Sequence, residues 1–148
     1  MKTIKTLPVL LAGILISLMF IPGCKEASKQ ETASHDVNHT TLVLELNNGA
    51  KWQVDEPTRK NYNSIKAIVN DEAAVKANGY TWLATQLQDK VNVLLQECKM
   101  QGAAHEALHT WLEHFISDIK KLKNVETAND TTYNAVRQDV ADFDKYFS

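Results

Sequence analysis

The chain has 148 residues, with 16 basic and 18 acidic side chains and a formal net charge of -2 at pH 7. Its hydrophobic content of 44% and charged content of 23% exclude a wholly disordered chain, a collagen-like repeat and a multi-span membrane protein. The charge balance offers no basic footprint for nucleic acid, and two cysteines are too few for a disulfide-rich scaffold.

Residues 1–23 have the pattern of a secretory signal. Lys2 and Lys5 provide a positive start, and an apolar run from Leu7 to Phe20 follows. The run is shorter than the roughly 20 apolar residues that span a bilayer, so a signal-peptide core explains it better than a permanent transmembrane helix. We therefore expect this segment to direct export and to be removed.

The signal ends in the tetrapeptide Ile-Pro-Gly-Cys at residues 21–24. This sequence resembles the lipobox of bacterial lipoproteins, in which the cysteine is lipidated and becomes the new N-terminus. The resemblance implies that Cys24 carries a lipid, which anchors a water-exposed domain to a membrane of the cell envelope. Lys25 stands where an Asp would signal retention in enteric lipoproteins, and this resemblance implies the outer membrane. An ordinary secretory signal followed by a chance cysteine is the alternative.

The remainder divides into a tether and one domain. Residues 24–40 comprise Cys24 and a polar stretch without aromatic residues or periodicity, which is typical of a flexible tether. Residues 41–148 contain no Gly/Ser-rich linker and no internal repeat, and their length is that of a common single domain.

The domain begins with the pattern of a short β-hairpin. Two stretches with strand character, residues 41–46 and 51–54, flank the sequence Asn-Asn-Gly-Ala. An Asn-Gly pair tolerates the positive φ angles that tight hairpin turns require. Because two strands alone are marginally stable in water, we expect this hairpin to pack on an apolar surface.

Four amphipathic helices are predicted after the hairpin, over residues 55–76, 80–100, 103–123 and 127–146. In each of them apolar residues recur at spacings of three and four, which places them on one helix face. The connections are short and the helices are similar in length, so neighbouring helices should be antiparallel. The predicted fold is mainly α, with an N-terminal β-hairpin followed by an up-and-down four-helix bundle.

One stretch concentrates side chains that bind metals. Cys98 and Met100 end the second predicted helix, and His105 and His109 lie one turn apart at the start of the third. A thiolate, a thioether and two imidazoles form a soft ligand set that suits Cu(I), or Zn(II) without the thioether. We therefore predict a Cu or Zn site at one end of the bundle, whereas His114 should point to the solvated side.

The same stretch resembles the His-Glu-x-x-His motif of zincin metalloproteases. That resemblance implies that His105 and His109 bind zinc and that Glu106 acts as general base. The chain departs from the metzincin pattern, since Leu112 occupies the glycine position and His114 falls one residue before the third histidine. A small zinc metalloprotease is therefore an alternative function.

A third interpretation involves neither metal nor catalysis. Histidine pairs arise by chance on helices, and in this interpretation Cys98 and Met100 are core residues with a packing role alone. The protein would then be a structural or protein-interaction lipoprotein whose partner is another envelope protein. Residues 98–112 also resemble a stretch in small, functionally uncharacterised bacterial lipoproteins, which implies that the cluster is a unit but names no activity.

Overall fold

The computed structural model describes residues 42–148, and the mainly α fold is confirmed. Five helices follow one another: α1 (Glu56–Val69), α2 (Glu72–Asn78), α3 (Tyr80–Glu97), α4 (Ala103–Lys123) and α5 (Asp130–Tyr146). The predicted signal, Cys24, the tether and Thr41 lie outside the described residues. Among residues 42–148, no helix combines the length and apolarity needed to cross a membrane.

The first predicted helix, residues 55–76, is divided in two. α1 ends at Val69, and the carboxylate of Asp71 then accepts a hydrogen bond from the backbone N–H of Ala74 at 3.0 Å. An Asp side chain that binds a backbone N–H ahead of it competes with continuation of a helix and favours the start of a new one. Asp71 therefore separates α1 from α2, which the apolar spacing alone did not indicate.

The other three predicted helices are present, and two of them have one end that differs from the prediction. α4 has its predicted bounds, but α3 stops at Glu97 because Cys98 adopts an extended conformation with φ -61° and ψ 126°. α5 starts three residues later than predicted because the side chains of Asn129 and Thr132 form a reciprocal capping box.

The four longer helices pack as a bundle. α1 packs on α3, α3 on α4 and α4 on α5, while α1 also touches α5. The Tyr62 hydroxyl donates to the carbonyl of Val140 at 2.7 Å, and the Tyr133 hydroxyl donates to the carbonyl of Val69 at 2.9 Å. These two bonds join residues in reversed order, so α1 and α5 are antiparallel.

An aromatic cluster joins α1, α4 and α5 in the core. The rings of Tyr62 and Phe143 stack with centroids 3.7 Å apart, and Trp111 meets both of them edge-on. All three side chains are fully buried. Aromatic pairs of this kind contribute about 0.5–1.5 kcal/mol beyond the area that they bury. The indole N–H of Trp111 also donates to the carbonyl of Asp139 at 2.8 Å, which fixes the register of α4 against α5.

The described part of the segment before α1 begins at residue 42, within the first predicted strand of the hairpin. Its turn is present, since Asn47 and Ala50 exchange two backbone hydrogen bonds, but residues 42–54 form no β-strand. The Trp52 N–H donates to the carbonyl of Tyr146, and the Trp52 carbonyl accepts from Ser148. The backbone of Trp52 therefore pairs with Tyr146 and Ser148, which occupy the N–H and carbonyl groups that a hairpin would use.

Candidate functional site

The loop between α3 and α4, residues 98–102, is attached to the start of α1. One carboxylate oxygen of Asp55 accepts from the Thr58 N–H at 2.9 Å, and the other accepts from the Lys99 N–H at 2.8 Å. Beside it, the amide of Asn61 donates to Glu97 at 2.8 Å. The Asp55 carboxylate thus caps α1 and also binds the loop of residues 98–102.

The hydrogen bonds at Asp55 change its acidity. Partial burial alone would raise the pKa of its carboxyl group, but hydrogen bonds from Thr58 and Lys99, with the charge of Lys99, outweigh burial and lower it. The contacts with Thr58 and Lys99 therefore favour the ionised form of the Asp55 carboxylate.

Gly102 sets the direction in which α4 begins. Its φ of 70° and ψ of -158° lie in a region that L-residues with a side chain rarely adopt. The carbonyl of Gly102 then accepts from the His105 N–H at 2.9 Å, which starts the first turn of the helix. The position of His105 relative to the loop thus depends on a glycine.

The structure brings His105 and His109 together. Their Nε2 atoms are 3.0 Å apart and share a hydrogen bond, and their ring centroids are 4.5 Å apart. His105 is half-buried and His109 is exposed, so solvent reaches the pair. Two imidazole nitrogens that converge at a solvent-accessible point can bind a metal ion or a proton between them.

Cys98 and Met100 lie on the adjoining loop, and both are half-buried against the hydrophobic core. Within residues 42–148, Cys98 does not join the two imidazoles in a set of three His, Cys, Asp or Glu side chains with ligand atoms within 4.8 Å of one another. Glu106 is exposed on the first turn of α4. The predicted site residues thus share one end of the bundle, but only the histidine pair is in contact.

His114 is not on the solvated side, as the helical spacing had predicted. Its side chain is 10% exposed, and its Nδ1 lies 2.5 Å from Oδ1 of Asp139 on α5, which is fully buried. On α4, Asp118 is also buried and accepts from the ammonium of Lys121 at 2.7 Å. A face that looked polar in isolation is covered because α5 packs on it.

Burial raises the pKa of Asp139 to about 7. Desolvation is the main cause, and the nearby carboxylate of Asp118 adds to it, while the charge and hydrogen bond of His114 oppose it. The raised pKa reflects the cost of keeping two carboxylates in a region with little water.

The His114–Asp118–Asp139 cluster was missed by the sequence analysis, although a signal for it exists. Asp118 lies three residues after Phe115 and four before Leu122, which are both buried. Asp139 lies three residues after Val136 and four before Phe143, so each acid interrupts the buried face of an amphipathic helix. A charged residue at such a position is seldom buried without a partner. This signal indicates two buried acids but does not indicate that they meet.

The comparisons with known proteins add no functional assignment. The chain matches no protein-family model, no curated protein and no solved structure. Inference about function therefore depends on the residues and geometry of the chain itself.

Proposed function

We propose that this is a lipid-anchored protein of the cell envelope whose helical domain binds one soft or borderline metal ion, Cu or Zn. The metal site is the end of the bundle that contains Cys98, Met100, His105 and His109. The observation that carries this proposal is the 3.0 Å separation of the two histidine Nε2 atoms.

That separation is close to the one that a bound metal requires. Two imidazole nitrogens on a tetrahedral zinc ion, each at about 2.0–2.1 Å, lie about 3.3 Å from each other. The pair at 3.0 Å therefore needs only a small adjustment to admit an ion. A metal binds neutral imidazole through an unprotonated nitrogen, so the proton on the donor Nε2 would move through solvent to Nδ1 of the same ring and leave both Nε2 atoms to the ion.

The loop supplies the remaining ligands. Cys98 offers a thiolate and Met100 a thioether, and both lie on the segment that Asp55 holds against α1. Cu(I) would use both sulfur atoms, whereas Zn(II) would use the thiolate and complete its coordination with water. Metal binding therefore involves a movement of the loop that brings the Cys98 sulfur to the histidine pair.

The membrane anchor rests on the sequence of the first 40 residues. Lipid on Cys24 would hold the protein at the outer membrane, and the polar residues 25–40 would separate the domain from the lipid surface. A small metal-binding domain attached in this way would sequester or buffer metal ions in the envelope.

The metal test uses the full chain, purified in mild detergent with its thiols reduced. We would load it separately with Zn(II) and Cu(I), desalt it and measure the retained metal by elemental analysis. The variant with both His105→Ala and His109→Ala should lose about one equivalent, and Cys98→Ser should weaken binding. The matched control changes His35 and His39, which have the same spacing in the predicted tether, and should retain the metal.

Three results would contradict the metal-binding proposal or favour one of its alternatives. Equal metal retention in the wild type and the His105/His109 variant would contradict it. The absence of retained metal would leave an anchored interaction domain, to be pursued by capture of its envelope partner. Cleavage of an unstructured protein that is lost in Glu106→Gln, with metal retained, would instead establish the protease alternative.

The lipid test is independent of the metal. In cells fed with a labelled fatty acid, the wild-type chain should become labelled and sediment with membranes, whereas Cys24→Ser should remain unlabelled. Cys98→Ser is the matched control, because it removes the other cysteine and should leave the label unchanged. Absence of label from the wild type would overturn the lipoprotein assignment.

A further inference from the structure

A second group of metal-binding side chains lies between α4 and α5. His114, Asp118 and Asp139 each offer a ligand atom, and these atoms all lie within 4.8 Å of one another. They are the one such set of three His, Cys, Asp or Glu side chains found among residues 42–148. The side chains are only 10%, 1% and 0% exposed, respectively, so this is not a group of surface acids that meet by chance.

One oxygen of the cluster is buried without a hydrogen bond. Oδ1 of Asp139 meets His114, but Oδ2 of the same carboxylate is inaccessible to solvent and has no hydrogen-bond partner. A buried carboxylate oxygen without a donor is costly, and native structures rarely retain one. A cation bound at Oδ2 would remove that cost.

Two side chains from the described part of the chain that carry or can carry positive charge, Lys121 and His114, contact the acids. Lys121 binds Asp118 from a side chain that is 31% exposed, and His114 is the group that faces Asp139. The lysine ammonium reaches the cluster from its outer edge, so it compensates one carboxylate and leaves Asp139 dependent on an imidazole. A divalent ion would neutralise both carboxylates from within the cluster.

The cluster also has an approach from outside. A cavity of about 380 Å³ is lined by His114 and Asp118, together with Val43 and Glu113 at its rim. The exposed carboxylate of Glu113 would attract cations to this cavity. Among the described residues, this cavity therefore borders two of the three ligands.

We propose that His114, Asp118 and Asp139 bind one divalent transition-metal ion, of the kind that accepts one imidazole and two carboxylates. This donor set suits Zn²⁺ or Mn²⁺ and lacks the sulfur that favours Cu(I). Two ligands with metal bonds of about 2.0–2.2 Å lie no more than about 4.4 Å apart, so the cluster closes on an ion with small side-chain movements. The site joins α4 to α5 and is separate from the His105–His109 pair.

The test uses the full chain with both His105→Ala and His109→Ala, so that the outcome does not depend on the first site. Zn²⁺ and Mn²⁺ would each be titrated alone against a competing chelator. About one equivalent of one of them should bind, and Asp139→Asn should weaken its affinity at least about 100-fold, because even indirect changes to a metal site cost 10–100-fold. Asp142→Asn makes the same chemical change outside the cluster and should leave the affinity unchanged within about threefold.

A second variant is expected to bind the metal more tightly, and a variant that fails to fold could not give that result. Lys121→Gln removes one cation that competes for Asp118, and it should strengthen metal binding, whereas a merely structural cluster would show no such gain. Circular dichroism would establish that each variant is folded. Absence of binding in the background chain, or binding that neither Asp139→Asn nor Lys121→Gln alters, would overturn the proposal.

Discussion

The two histidine sites of α4 differ in what surrounds them. His105 and His109 contact each other at the end of the bundle, where solvent reaches them. His114, farther along the same helix, is enclosed by α5 and contacts the fully buried Asp139. The same side chain is thus solvent-accessible in one place and part of a buried charge network in the other.

This difference shows that solvent exposure and the neighbouring side chain decide what a histidine contributes to binding or to stability. A solvent-accessible imidazole pair can shift its shared proton to Nδ1 and offer both Nε2 atoms to a metal ion. A buried imidazole beside a carboxylate is needed by its partner, because the carboxylate would otherwise lose both solvent and counter-charge. The two sites should therefore respond differently to substitution.

Replacement of His114 and of His109 by alanine should give the largest difference in stability between the two sites. His114→Ala removes the group that faces the Asp139 carboxylate and should lower the free energy of unfolding by on the order of 3 kcal/mol. His109→Ala removes an exposed side chain and should change it by less than about 0.5 kcal/mol. Urea unfolding followed by circular dichroism, without added metal, would measure both, and equal losses would remove the distinction between the sites.

The backbone at Gly102 offers a second contrast. An alanine there must adopt the φ of 70°, which should cost about 1–3 kcal/mol although no atom lies within 4 Å of the added Cβ. Gly79 has a φ of 85° between α2 and α3, and Gly79→Ala should cost a similar amount. Only Gly102→Ala should also weaken metal binding by His105 and His109, as metal titration of the two variants would show.

If both glycine variants weaken metal binding equally, general loss of stability is the cause and the loop has no specific role. If neither does, the histidine pair does not depend on the direction in which α4 begins.

Cys98 should contribute little to stability and more to metal binding. It is half-buried, so Cys98→Ala should cost about 1 kcal/mol or less in unfolding experiments. Leu94, fully buried one turn earlier, is the control, and its replacement by alanine should cost about 2–5 kcal/mol. A loss at Cys98 as large as that at Leu94 would indicate a packing role and count against its role as a ligand.

The smallest expected effect is the pH dependence contributed by Asp55. Because its pKa is lower in the folded chain than in the unfolded one, its ionised form stabilises the fold above about pH 4, and this contribution is lost as the pH falls through the lowered value. Asp55→Asn retains a capping oxygen and should cost only about 0.5 kcal/mol at pH 7, since the group is largely solvated. That difference should disappear in urea titrations near pH 2.5.

Asp55→Ala provides the control for the cap itself. It removes the side-chain acceptor of the Thr58 N–H together with the charge, so it should cost about 1.5 kcal/mol at pH 7 and about 1 kcal/mol in acid, where the contribution of the charge is lost. A difference between wild type and Asp55→Asn that persists in acid would show that the charge of Asp55 does not stabilise the loop.

Most of the helical architecture could be predicted from the sequence. The helices follow from apolar residues at spacings of three and four, and α4 has its predicted bounds. The division at Asp71 could not be predicted from spacing, because the apolar pattern continues across it and a capping hydrogen bond decides the break. The pairing of the Trp52 backbone with residues 146 and 148 could not be predicted either, because these residues lie far along the chain.

The two candidate sites also differ in whether the sequence predicts their contacts. Contact between His105 and His109 follows from a spacing of one helical turn, so the sequence predicts it without knowledge of other helices. Contact between His114 and Asp139 requires that α4 and α5 pack in one particular register, which the Trp111 indole and the aromatic core select.

The sequence by itself determined the mainly helical class, the helical stripes and the pairing of His105 with His109, because these depend on residues within one or two turns. The tertiary structure alone decided that His114 is buried, that Asp118 and Asp139 share its surroundings and that residues 52–54 meet the C-terminus. The physical reason is that burial and counter-charge arise between elements, and their energies depend on distances that no local periodicity specifies.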